Sequence, residues 1–185
     1  MYVIDEQGWL QPARHCPSPN FNARPPGEAV SLLVIHNISL PPGEFGGGLV
    51  QQFFCNQLDC QADPRLSDLD GLKVSSHLLI ERSGITTQFV SFLDRAWHAG
   101  QSSFDGRENC NDFSIGIELE GTDDRAYTAE QYHELAVVTQ TLQCYYPGIC
   151  SARITGHSDI APGRKTDPGP AFDWAHYKQA LGNRL

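Results

Sequence analysis

Residues 113–121 read FSIGIELEG. Ile115, Ile117 and Leu119 alternate with Gly116, Glu118 and Glu120, and a period of two predicts a strand with one apolar face. The other face then carries a glycine and two carboxylates. A second run, VSLLVIH at 30–36, is short, apolar and rich in β-branched residues, so it reads as a buried strand with His36 at its end. SSHLLIERSGITTQFVS at 75–91 reads as a hairpin that turns at Ser83–Gly84. ARITGH, ending at His157, is a further short strand.

Helical signals are fewer. Thr128 stands three residues before Gln131, a capping-box spacing. Tyr132, Leu135, Ala136, Thr139 and Leu142 follow at helical steps. Residues 49–56 read as a short helix, and Trp174, Tyr177 and Leu181 mark a final one. The segments 57–73 and 96–110 read as loops. The order is strand, long loop, hairpin, strand, helix, strand, helix. That predicts a mixed α/β fold, with a central mixed β-sheet, a few flanking α-helices and long loops around a cleft. A length of 185 residues predicts a single domain over 1–185, with the Pro-rich residues 1–29 as an irregular segment wrapping the core.

Bulk properties exclude several function classes. A chain this long buries roughly 70% of its unfolded surface and needs no covalent staples. Net charge is -9 with no run of Lys and Arg, which argues against nucleic acid. No stretch of about eighteen apolar residues suggests a membrane span. The first residues, MYVIDEQGWLQPARH, lack a basic region followed by an apolar one, so the expected compartment is the cytoplasm. Six cysteines without a C-x-x-C pair are then expected to stay reduced.

The stretch GHSDIAPGRKTDPGP at 156–170 is too rich in Gly and Pro for the interior of a helix or strand. It is not a P-loop, because Gly156 and Gly163 are too far apart and Arg164 precedes the lysine. His157 and Asp167 have the donor types a catalytic zinc uses, and such a site takes three protein ligands plus water. His36 is the best candidate for the third, because it ends a buried strand. Glu118 or Glu120 supplies a carboxylate for proton transfer, and Gly116 leaves space beside the first for a ligand. Lys165, two residues from Asp167, can stabilise an oxyanion. Against each stands the ordinary alternative: a hydrogen-bonding core histidine, a solvent-facing glutamate, a surface lysine.

Four segments together resemble a known family: LLVIHNISLPPGEFGG, AWHAG, NDFSIGIELEGTD and TGHSDIAPGRKTDPGPAFDW. They are similar to the zinc-dependent N-acetylmuramoyl-L-alanine amidases, relatives of the peptidoglycan recognition proteins. Within that family the likeness is greatest to the cytosolic branch acting on 1,6-anhydromuropeptides. It runs from about Gly8 to about Tyr177. The resemblance implies one Zn²⁺ per chain held by His36, His157 and Asp167, with Glu118 activating water and Lys165 stabilising the transition state. It implies hydrolysis of the amide between the lactyl group of N-acetylmuramic acid and L-alanine of the stem peptide, during peptidoglycan recycling. That activity would lower the muropeptides that induce β-lactamase.

Asn37, Lys73, Trp97 and His98 match family positions lining the cleft. Lys73 and Asn109 replace family arginines. The lysine keeps the charge without the bidentate fork, Asn109 loses the charge, and Arg107 is expected to compensate. Glu120, Asp159 and Arg164 become bystanders, and His77, His133 and His176 structural residues. The expected partner is a small-molecule substrate, the expected state a monomer. A non-catalytic peptidoglycan-fragment-binding module and a regulatory interaction protein are the rival readings.

Overall fold

The computed structural model describes residues 2–182. Its strands are Val3–Ile4 (β1), Leu10–Gln11 (β2), Arg14–His15 (β3), Phe21–Ala23 (β4), Leu32–Ile38 (β5), Leu78–Ile80 (β6), Thr86–Gln88 (β7), Asp94–Ala96 (β8), Ser103–Phe104 (β9), Arg107–Glu108 (β10), Ser114–Glu120 (β11) and Ile154–Gly156 (β12). The helices are Leu49–Phe54 (α1), Ala129–Tyr145 (α2), His157–Ile160 (α3) and Trp174–Gly182 (α4).

Six strands form one sheet in the order β12-β5-β11-β6-β7-β3. β12, β5, β11 and β6 run parallel, while the hairpin β6–β7 is antiparallel. The sheet is therefore mixed, as expected. Gly84 takes φ +83 in the hairpin turn, a left-handed conformation that favours glycine.

The alternation in β11 divides the sheet into two faces. Ile115, Ile117 and Leu119 join Leu33 and Ile35 of β5 in the main core. Leu135, Val138 and Leu142 of α2 and Tyr177 of α4 cover that face. The helix start is tied to the sheet. The Thr128 hydroxyl accepts from the Gln131 amide, and the Gln131 side chain donates to the Ile80 and Glu120 carbonyls.

The opposite face is covered by loops. Leu32 and Val34 pack there against Ala99, Cys110, Phe113 and Ile160. A further apolar cluster under α1 gathers Leu40, Phe53, Phe54, Leu66 and Phe89.

Several expectations are corrected. Residues 1–29 are not wholly irregular: they supply four short strands, and β3 extends the main sheet. The loop 57–73 contains a 3-10 turn over Pro64–Leu69, capped by Asp63. The loop 96–110 folds into the small hairpin β9–β10. Residues 157–160 do form a single helical turn, because the Asp159 carboxylate accepts from the Gly156 amide and the Thr155 hydroxyl.

Candidate metal centre

Three neighbouring parallel strands bring the candidate residues to one level. Glu118 of β11 is paired in register with His36 of β5. Gly156 of β12 pairs with Ile35, so the next residue, His157, comes level with His36. Parallel neighbours in register share a face, which sends His36 and Glu118 to the loop-covered side.

Asp167 closes the group from the returning loop, where its carbonyl accepts from the Ser158 amide. His36 Nδ1 lies 3.0 Å from His157 Nδ1 and 3.0 Å from Asp167 Oδ2. His157 Nδ1 is 3.1 Å from the same oxygen. The predicted triad of His36, His157 and Asp167 thus converges, and it is the one cluster of metal-ligand type found among the described residues.

The outer nitrogens test whether a cation fits. His157 Nε2 faces the Ala99 carbonyl at 3.1 Å, and a carbonyl only accepts, so the ring proton sits on Nε2. Nδ1 then offers a lone pair inward. His36 Nε2 faces His98 Nδ1 at 3.0 Å, and a proton on Nε2 frees the His36 lone pair in the same way. Two imidazole lone pairs and a carboxylate oxygen around one point suit a divalent ion. Tetrahedral zinc at about 2.0–2.1 Å would space its ligands by about 3.3 Å, close to the spacing seen. Burial holds the His36 imidazole at about 4, so it stays neutral at ordinary pH.

Glu118 is 8% exposed, and its Oε2 is buried without a hydrogen-bond partner. Burial, and then the charge of Asp167, push its carboxyl well above the usual range, against a pull from Lys165. Such a carboxylate is poised to take a proton.

A cleft of about 540 Å³ opens over these groups. Asn37, Lys73, Trp97, Glu118, Lys165 and Asp167 are among the residues lining it. Asn37 donates to Asp123 Oδ1 at 2.9 Å, and the Trp97 indole donates to Asn22. Arg107 is not brought to the cleft: it pairs with Glu28 at 2.6 Å and lies over the Phe113 ring. Its expected compensating role has no geometric basis.

His98 touches the cleft, yet its ring is committed to His36 and Ser114. It also fills the space beside Gly116 that was expected to admit a ligand. Glu120 is buried rather than solvent-facing, accepting from the Gly46 and Arg82 amides. Asp159 caps α3, and Arg164 donates to the Ala99 and Gln101 carbonyls at 2.6 Å, so neither is a bystander.

The apolar wall of Ile38, Leu40, Phe53, Phe54 and Leu72 carried no signal in the sequence, because strand β5, helix α1 and two loops bring it together from separate stretches.

A mixed sheet with two imidazoles and a carboxylate at its strand ends, beside an unpaired buried carboxylate, has the layout of a metal-dependent hydrolase. Residues 26–170 match the family model Amidase_2, N-acetylmuramoyl-L-alanine amidase, and the chain belongs to that enzyme family. It is 58% identical over 176 residues to the 1,6-anhydro-N-acetylmuramyl-L-alanine amidase AmpD of Escherichia coli (strain K12), covering 95% of this chain and 96% of that protein. The crystal structure of a Se-Met AmpD derivative superposes with a TM-score of 0.94 at 55% identity, over 97% of this chain and 99% of that one. AmpDh3 from Pseudomonas aeruginosa, in complex with anhydromuramic pentapeptide, superposes at 0.62 with 29% identity, over 97% of this chain and 66% of that one.

Proposed function

We propose that the protein is a zinc amidase that cleaves the amide between the lactyl group of 1,6-anhydro-N-acetylmuramic acid and L-alanine of the stem peptide. The observation that carries this reading is the convergence of His36 Nδ1, His157 Nδ1 and Asp167 Oδ2 beside the unpartnered Glu118 Oε2. The substrate class follows from the named activity of the relatives and from the muropeptide bound to AmpDh3. One zinc per chain, a monomeric state and action in the cytoplasm during peptidoglycan recycling complete the proposal. Depletion of muropeptides that induce β-lactamase follows from turnover alone. No helix of the described residues is long and apolar enough to cross a membrane.

His36, His157 and Asp167 would hold the ion, which when bound would supply Lewis acidity at this point. Glu118 takes the proton from the attacking water and returns it to the leaving nitrogen, a service worth about 10²–10⁴-fold. Lys165 donates to the carbonyl oxygen as it becomes negative. Lys73 and Arg164 give an acidic protein local cations for the carboxylates of the stem peptide. Asn37 and Trp97 line the same cleft, beside the apolar wall.

The test is release of free stem peptide from anhydromuropeptide, followed by mass spectrometry, with zinc content measured on the same sample. One equivalent of zinc and loss of turnover on chelation are expected. Full turnover by metal-free protein would refute the proposal.

A further inference from the structure

The outer nitrogens of both metal-site histidines end on one short stretch. His36 Nε2 meets the His98 side chain at 3.0 Å, and His157 Nε2 meets the Ala99 carbonyl at 3.1 Å. Residues 97–100 have no regular secondary structure, so no ladder holds them in place. One atom does. Asn111 Oδ1 accepts from the His98 amide at 3.1 Å and from the Ala99 amide at 2.8 Å.

Asn111 is itself buried, within the 3-10 turn Cys110–Asp112. Arg24 clamps that turn from behind by donating to the Asn111 and Asp112 carbonyls.

We propose that Asn111 is a positioning residue of the metal centre. Through one oxygen it fixes His98 and Ala99, and those two set the tautomer and aim of both histidine ligands. An imidazole can hold a metal only through an unprotonated nitrogen, so the partner of its other nitrogen decides which one is free. Loss of a single outer partner typically costs 10–100-fold in metal affinity. Asn111 serves two ligands, so its loss loosens the support of both, leaving Arg164 on the Ala99 carbonyl and Ser114 on the His98 ring. The Ser114 hydroxyl ends the chain on the far side of His98, 3.0 Å from Nε2.

The inference rests on the metal reading above, and the test separates the two. Full-length wild type, Asn111→Ala and Asn111→Asp are titrated with zinc against a chromophoric chelator. Cobalt(II) is substituted in parallel, and its visible spectrum reports ligand geometry. Asn111→Ala is expected to lose at least about tenfold in zinc affinity and to change the cobalt spectrum, whereas Asn111→Asp, which keeps an acceptor oxygen, stays within a few fold. Equal binding by wild type and Asn111→Ala overturns the inference. So do equal losses in Ala and Asp, which would show that keeping the acceptor oxygen is not enough. A wild type that binds no zinc overturns the metal reading and this inference together. If Asn111→Ala does not fold, His98→Ala decides. A tenfold loss supports the bracket, and unchanged affinity overturns it.

Discussion

Gly116→Ala isolates the packing that aims His36. A Cβ built on Gly116 comes within 2.5 Å of His98 Cγ and Nδ1 and 2.9 Å of Cδ2. The strand cannot back away. The Gly116 amide donates to His77 Nδ1, and its carbonyl accepts from the Ser76 hydroxyl and the His77 amide. The ring must therefore move, and it is itself bonded to His36 and Ser114. Overpacking a full core costs about 1–3 kcal/mol, and each weakened hydrogen bond adds about 1 kcal/mol. The expected loss is on the order of 2–4 kcal/mol, measured as the urea midpoint of chelated protein. Zinc affinity falls with it. In a His98→Ala background the new methyl has room, so the second substitution is nearly free there. A double-mutant cycle should return a coupling of about 2–4 kcal/mol between the two sites, the whole of that cost. Coupling below about 0.5 kcal/mol would refute the argument that His98 occupies the space at Gly116.

Four further outcomes are expected. Glu118→Gln should lower kcat by about 10²–10⁴-fold with zinc content unchanged, and loss of zinc would contradict a pure base role. In metal-free protein, burial first and the Asp167 charge second raise the Glu118 carboxyl above 4.5, so the contribution of Glu118 to stability is full below that pH and is lost as pH rises through the raised value. Glu118→Gln cannot ionise, and its stability relative to wild type should therefore grow with pH; a shrinking difference in urea midpoints would refute this. Glu120→Ala strands the Gly46 and Arg82 amides, costing about 2–4 kcal/mol and speeding proteolysis near residues 42–48, whereas an unchanged cleavage rate would count against it. Gly169→Ala puts a Cβ 2.2 Å from Asp123 Cα at φ +79, and a loss of at least about 3 kcal/mol by urea unfolding is expected.

The alternation at 115–120 was legible because side chains in a strand repeat every two residues whatever lies around them. The capping box at Thr128 and Gln131 was legible for a similar reason: both partners lie within one turn. What escaped the sequence depends on contacts between distant segments. That Glu118 stands level with His36 follows from a parallel register no local pattern records. Glu120 reads as solvent-facing only if one face of the strand is open, and here loops cover it. Gly116 reads as empty space until His98 arrives from another loop. Arg164 reads as a bystander because its acceptors are backbone carbonyls, which have no identity in the sequence. Arg107 errs the other way, being near in sequence to the cleft-forming segment but turned toward Glu28.

The three candidate ligands are also far apart along the chain. His36 precedes His157 by 121 residues and Asp167 by 131. Between them lie the hairpin, β11 and α2, and β12 must dock beside β5 before the second histidine arrives. During synthesis, a ribosome-bound chain that has emerged only as far as α2 owns a single one of the three donors. The three-donor cluster is therefore complete only when translation is nearly over.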